Sequence, residues 1–270
     1  MFVFTWWFGT KKSLEAVNLD DLTNRLRGLQ DDLQRCQEGK SGNGQERKVT
    51  VLTETQVFAY SIKKCPRKSI ALVTGNIQGI KCAHIWVNSE NTNMQMARYF
   101  ERSISGTVRY HGAIRDKYGD VVDDVIFKEL TNQMAGKNAV QPATVLVTGA
   151  GNLEQSHRVK KIFHVAAVRG QVGSGYQPID NIESCVSNAL DATRTSEFSS
   201  CKSILFPLLG TGTAKANLAE VATKLLTAAI GFLESTEDTS IETVYFLTWT
   251  DRELAVCRGV LDGLDRVEAK

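Results

Sequence analysis

The sequence predicts an α/β protein: a mixed, largely parallel sheet covered by helices on both faces, preceded by a separate N-terminal helix. Three observations carry this. From residue 49 onward, short apolar runs of strand length alternate with longer runs of helical period. Several of the strand runs are continuously apolar, as strands buried on both faces are. And the 270 residues are 42% hydrophobic, enough for one sizeable core.

The elements follow in order. Asn18 precedes Leu19, Asp20 and Asp21, a capping side chain followed by acids in the first turn. Leu19, Leu22, Leu26, Leu29, Leu33 and Cys36 then recur at spacings of three and four. This seam spans about two and a half heptads, short of a sustained coiled coil. It suits self-association, or docking on its own chain. Gly39, Ser41, Gly42, Asn43 and Gly44 mark a linker, so residues 1–47 are read as an N-terminal segment and 48–270 as one domain. Within that domain, Val49–Leu52, Val57–Ile62, Ile70–Val73 and Ile85–Val87 read as strands, and Met94–Ser103 and Val121–Met134 as helices, with Asp120, Asp123 and Asp124 at a helix start. Thr144–Thr148 and Ile162–Val165 are strands, Ile182–Leu190 is a helix, and Ile204–Leu209 is a buried strand. Asn217 caps a strong helix with Leu218, Val221, Leu225, Ala229, Phe232 and Leu233 on one face. Val244–Leu247 and Arg252–Leu264 complete the series.

Charge excludes little. A net charge of +2 with 23% charged residues and no long basic run gives no reason to expect a specific nucleic-acid partner. The six cysteines lie scattered in apolar stretches, without C-x-x-C pairs or metal-ligand spacing. Reduced thiols, no metal and a cytoplasmic location are expected. Residues 1–8 read Met-Phe-Val-Phe-Thr-Trp-Trp-Phe and precede Lys11 and Lys12. They are too few to span a bilayer, but Trp and Phe beside lysines suit a membrane surface as well as a protein contact.

Ligands of such sheets sit beyond the carboxyl ends of strands. Three stretches there carry candidate chemistry. Gly75-Asn76-Ile77 follows Ile70–Val73; Gly75 permits a tight turn and Asn76 offers an acceptor and a donor. Asn88 and Asn91 stand three apart at the junction expected after Ile85-Trp86, where they can present amides to ribose hydroxyls or cap the next helix. Gly210-Thr211-Gly212-Thr213-Ala214 lies between Ile204–Leu209 and the Asn217 helix. Its backbone N–H groups and the helix start can hold a phosphate with no basic residue before Lys215. The first and third stretches also have a ligand-free role as turns, and Asn91 one as a helix cap. Val147-Thr148-Gly149-Ala150-Gly151 is similar to a dehydrogenase dinucleotide loop but lacks the third glycine of G-x-G-x-x-G. His164 ends an apolar strand as a satisfied buried histidine would, and His111 beside Arg109 can touch a phosphate or serve structure.

Taken in order, Gly75-Asn76-Ile77, Val87-Asn88-Ser89-Glu90-Asn91 and Phe206-Pro207-Leu208-Leu209-Gly210-Thr211-Gly212 resemble the macrodomain pattern of Gly-Asp-Ile, Val-Asn-Ala-Ala-Asn and Pro followed by Ser-Thr-Gly. Ile162-Phe163-His164-Val165 is similar to the family's Ile-His strand. The resemblance covers roughly residues 49–264. It implies a three-layer α/β/α fold that binds ADP-ribose or a related NAD-derived nucleotide, with no cofactor. By position it puts Asn76 at adenine, Asn91 near the distal ribose and Gly210 to Ala214 around the diphosphate. Ser105, Gly106, Thr107 and Val108 take the place of the family's other phosphate loop. Asn76 replaces the family's Asp, that second loop has one glycine rather than three, and Thr213-Ala214 stands where many members have an aromatic. No nucleophile and base stand at a persuasive spacing, so catalytic residues are not assigned and a binding module is expected; hydrolysis of ADP-ribose from a substrate, with Asn91 or Glu90 orienting water, is the alternative.

Overall fold

The computed structural model describes residues 49–171, 175–212 and 216–270. The segment at 1–8, the Leu19–Cys36 seam, the linker and Thr213, Ala214 and Lys215 lie outside the described residues.

Apolar runs become a nine-stranded sheet. Its strands are β1 (Val57–Ile62), β2 (Cys65–Thr74), β3 (Ile85–Asn91), β6 (Val145–Gly149), β7 (Lys161–Gln171), β8 (Gly175–Pro178), β9 (Ser203–Pro207), β10 (Thr243–Thr248) and β11 (Val267–Ala269). β4 (Ile114–Arg115) and β5 (Val121–Asp123) form a separate small hairpin. The sheet runs β11-β1-β2-β10-β9-β3-β7-β6, with β8 also pairing to β7. The central strands β2, β10, β9, β3 and β7 are parallel, and the antiparallel partners lie toward the edges.

Side chains alternate through this sheet. Ile85 and Val87 enter one core and Trp86 the other; Ile204 and Phe206 enter one and Leu205 the other. The first core is closed by α4 (Glu183–Ala192), α5 (Leu218–Ser235) and α6 (Asp251–Asp262). The second is closed by α1 (Ile104–Gly112), α2 (Val125–Met134) and α3 (Leu153–His157). The result is the three-layer α/β/α architecture expected. The α5 face is as read: Val221, Leu225, Ala229 and Leu233 are buried, Leu218 and Phe232 pack at its margin, and Asn217 Oδ1 accepts from the N–H groups of Ala219 and Glu220 at 3.0 and 3.2 Å. The edge strand β6 is shielded by α2. Gly149 N donates to Glu129 Oε2 at 2.9 Å and Gln133 Nε2 donates to the Val147 carbonyl, so two of its backbone groups are satisfied by side chains.

The fold departs from four expectations. Val49–Leu52 is no strand; only Val51 bridges Thr250, and Val49 and Val51 remain half exposed because no sheet neighbour among the described residues covers them. Met94–Ser103 is not helical. Met94 sits at φ 53 and the Asn91 side chain holds the N–H groups of Asn93 and Gln95, which fixes a loop instead. Val121–Asp123 is a strand, and the helix starts only after Asp124, whose side chain accepts from Phe127 N. Ser105-Gly106-Thr107-Val108 is not a loop but part of α1, capped by Ser103. Its single glycine has a packing reason: a Cβ at Gly106 would stand 2.4 Å from the Glu101 carbonyl and 2.8 Å from that of Arg98.

Candidate functional site

The parallel centre brings four junctions to one end of the sheet. Gly75-Asn76-Ile77 follows β2, Asn88–Asn91 ends β3, Leu208–Gly212 follows β9, and Trp249 follows β10. Asn88 to Asn91 are therefore the last residues of the strand itself, not a loop beyond it.

Two cavities open here. The larger, of about 1080 Å³, is lined by Asn88, Glu90, Asn91, Gly210, Thr211 and Gly212 among others. The smaller, of about 280 Å³, is lined by Gly75, Asn76, Ile77 and Thr107. They share the wall formed by Arg102, Ser103, Ile104, Leu247 and Trp249. Together they exceed the roughly 300 Å³ that a small-molecule site needs.

Backbone geometry shapes both. Gly75 adopts φ +100 and Gly210 φ +78, values that a side chain resists. Asn76 is exposed, and its Oδ1 accepts from Gln78 N at 3.0 Å, so one amide oxygen lone pair is spent on the turn. Among the described residues nothing lies within 4 Å of where a Cβ at Gly212 would stand. Trp249 is 42% exposed, and its backbone is fixed by the start of α6: Trp249 N donates to Glu253 Oε2 at 2.6 Å while Glu253 completes a capping box with Thr250. At the floor, Asn88, Glu90, Asn91 and Ser105 are buried polar residues. Asn91 Oδ1 is engaged with the Asn93 and Gln95 N–H groups at 3.0 and 3.1 Å.

A model of the Macro domain family matches residues 87–225, more than half of the chain. The chain belongs to the macrodomain family. Its fold is shared with solved macrodomains at low identity. The macrodomain of Oceanobacillus iheyensis solved with ADP has a TM-score of 0.57 at 16% identity, with 78% of this chain and 97% of that one covered. The Trypanosoma brucei macrodomain solved with ADP-ribose has a TM-score of 0.52 at 16% identity, with 70% of this chain and 68% of that one covered. No curated protein sequence matches this chain.

Within this macrodomain the structure gathers Gly75, Asn76 and Ile77 at one cavity and Asn88, Asn91, Gly210, Thr211 and Gly212 at the other. Ser105 and Thr107 reach the cavities from α1, one in each, while Gly106 and Val108 line neither. Sequence reasoning misses Trp249; the signal for it is an aromatic residue between a strand and the capping pair Thr250 and Glu253. Other residues fall away from the cleft. His111 lines neither cavity; its ring packs on Tyr110 and His157, and burial, then Arg115 and His157, holds its pKa below the ordinary value. Arg109 does reach the large cleft but is ion-paired to Asp124 and lies 4.0 Å from the Phe127 ring centroid. His164 is fully buried, with Nε2 3.0 Å from Thr148 Oγ1. The Gly149–Gly151 turn ends the antiparallel β6, beside Lys161 at the start of β7. That is the opposite end of the sheet from the cleft, so this turn takes no part in the site.

Proposed function

We propose that this macrodomain is a binding module for ADP-ribose or a closely related NAD-derived nucleotide. The observation that carries the reading is the pair of cavities with a shared wall. They are lined in sequence by the three stretches whose order resembles the family pattern. The base occupies the cavity at Gly75–Ile77, with Asn76 reading its edge and the exposed Trp249 ring beside it. The diphosphate passes Gly210–Gly212, where backbone N–H groups rather than a point cation hold it. The terminal ribose lies over Asn88 to Asn91. The solved macrodomains with ADP and with ADP-ribose support this choice of ligand class. Thr213 and Ala214 belong to the same proposed diphosphate loop.

Calorimetry tests the reading. ADP-ribose should bind with a Kd on the order of micromolar, about −8 kcal/mol. Trp249→Ala should weaken it by about tenfold or more, because base–aromatic stacking is worth roughly 1–3 kcal/mol. Absence of heat with ADP-ribose, or full affinity without the indole, would contradict the placement. Release of ADP-ribose from a labelled, modified protein would replace a binding module with a hydrolase.

A further inference from the structure

With a base in the small cavity and a diphosphate at Gly210–Gly212, the adenosine ribose that joins them crosses the wall shared by the two cavities. Arg102, Ser103, Ile104, Leu247 and Trp249 form that wall. Ser103 Oγ is spent on capping α1, where it accepts from Gly106 N at 3.0 Å. Arg102 is exposed, and among the described residues no hydrogen bond or ion pair holds its guanidinium. The nearby carboxylates are committed elsewhere. Glu101 Oε1 accepts from Arg98 N at 3.2 Å and stands 4.0 Å from Arg98 Nε. Glu253 Oε2 accepts from Trp249 N at 2.6 Å and from Thr250 N at 3.0 Å.

The charge at this wall bears on what the ribose carries. A dinucleotide site for a plain ribose sets a carboxylate on the 2′-hydroxyl, whereas one for a 2′-phosphate sets an arginine there. Among the described residues lining the small cavity there is no carboxylate, and Arg102 is the one ionisable side chain. The large cavity is lined by the cations Arg98, Arg102, Arg109 and Lys137 against the carboxylates Glu90, Glu101 and Glu253. Arg109 is held by Asp124, and of the four cations Arg102 is the one that lines both cavities.

We propose that this site prefers a nucleotide with a phosphate on the 2′-oxygen of its adenosine ribose, the form derived from NADP rather than NAD, and that Arg102 selects it. The inference rests on the nucleotide reading above. A phosphate monoester brings about −1.5 to −2 charges and three acceptor oxygens. The planar guanidinium of Arg102 can donate two parallel N–H groups to such oxygens, a geometry that a ribose hydroxyl cannot match. Because the guanidinium is exposed, the phosphate keeps part of its hydration, and solvent screening holds the preference to a modest size.

The test is calorimetry of the full chain with ADP-ribose and with ADP-ribose 2′-phosphate. The wild type should bind the phosphorylated ligand about five- to tenfold more tightly. Arg102→Gln, with its fold checked by thermal melting, should bring that ratio close to one by loosening the phosphorylated ligand more than ADP-ribose. Lys137→Gln removes the same charge from an exposed residue that lines the large cavity alone, and it should keep the wild-type ratio. Equal affinity of the two ligands for the wild type overturns the inference. So does an Arg102→Gln protein that weakens both ligands alike, which would put Arg102 on the diphosphate. A Lys137→Gln protein whose ratio falls as far as that of Arg102→Gln overturns it too, since the preference would then be a general effect of cleft charge. Binding of ADP-ribose without any preference removes this inference alone; if the folded wild type binds neither ligand, the nucleotide reading itself falls.

Discussion

Gly151→Ala is expected to destabilise the domain by about 3–4 kcal/mol, a large loss for the addition of one methyl group. Gly151 adopts φ +53, and an added Cβ would stand 2.1 Å from the Gly112 carbonyl oxygen and 2.8 Å from Val125 Cγ2. Two costs combine: roughly 1–2 kcal/mol for a left-handed backbone and 1–3 for overpacking. The turn cannot move away, because Asn152 N donates to that same Gly112 carbonyl at 2.9 Å and Asn152 Nδ2 to the Ala113 carbonyl at 2.8 Å. Gly136→Ala is the control. It has φ +78 and, among the described residues, no atom within 4 Å of its Cβ, so it should lose only about 1–2 kcal/mol. Denaturant melts of the two variants check the difference; similar losses would show that the contact with Gly112 is of no consequence.

Gly212→Val should reduce nucleotide affinity by more than about tenfold while leaving the melting temperature near the wild-type value. Among the described residues no atom lies within 4 Å of a Cβ at Gly212, so the valine fills cleft space and not core. Gly210→Val should lose affinity and stability together. Its φ of +78 disfavours a β-branched residue, and the side chain would press on Ile182, whose Cδ1 stands 3.6 Å from the Cβ position. Calorimetry and melting on both variants separate the two causes. If Gly212→Val binds as the wild type does, the diphosphate does not pass this loop.

The difference between these two glycines is not legible in the sequence. Gly-Thr-Gly announces a tight turn, but only the path out of β9 decides which glycine takes the positive φ. Other parts are legible because a single physical pattern suffices. The α5 face and its Asn217 cap follow from helical spacing and capping chemistry, and the buried centre of the sheet from continuous apolar runs. The region from Met94 to Val108 misleads for a specific reason. Met94 and Met96 are apolar, yet they anchor a loop whose shape is set by Asn91 from the preceding strand and by Ser105 Oγ, which accepts from Ala97 N at 3.1 Å. Those restraints act between elements and leave no local period. The buried grouping of Asn88, Glu90, Ser105 and His164 is hidden for the same reason: residues separated by up to 76 positions meet only once β3, β7 and α1 pack.

A nucleotide base between Asn76 and Trp249, at the carboxyl end of the sheet, is the centre of the proposed function. Photolabelling with an 8-azido-adenine analogue of ADP-ribose, followed by peptide mapping, tests it most directly. Adducts are expected on the peptide containing Gly75 to Gln78 or on Trp249, suppressed by excess unlabelled ADP-ribose. Suppressible adducts at the Gly149–Asn152 turn, or labelling that ADP-ribose does not suppress, would contradict it.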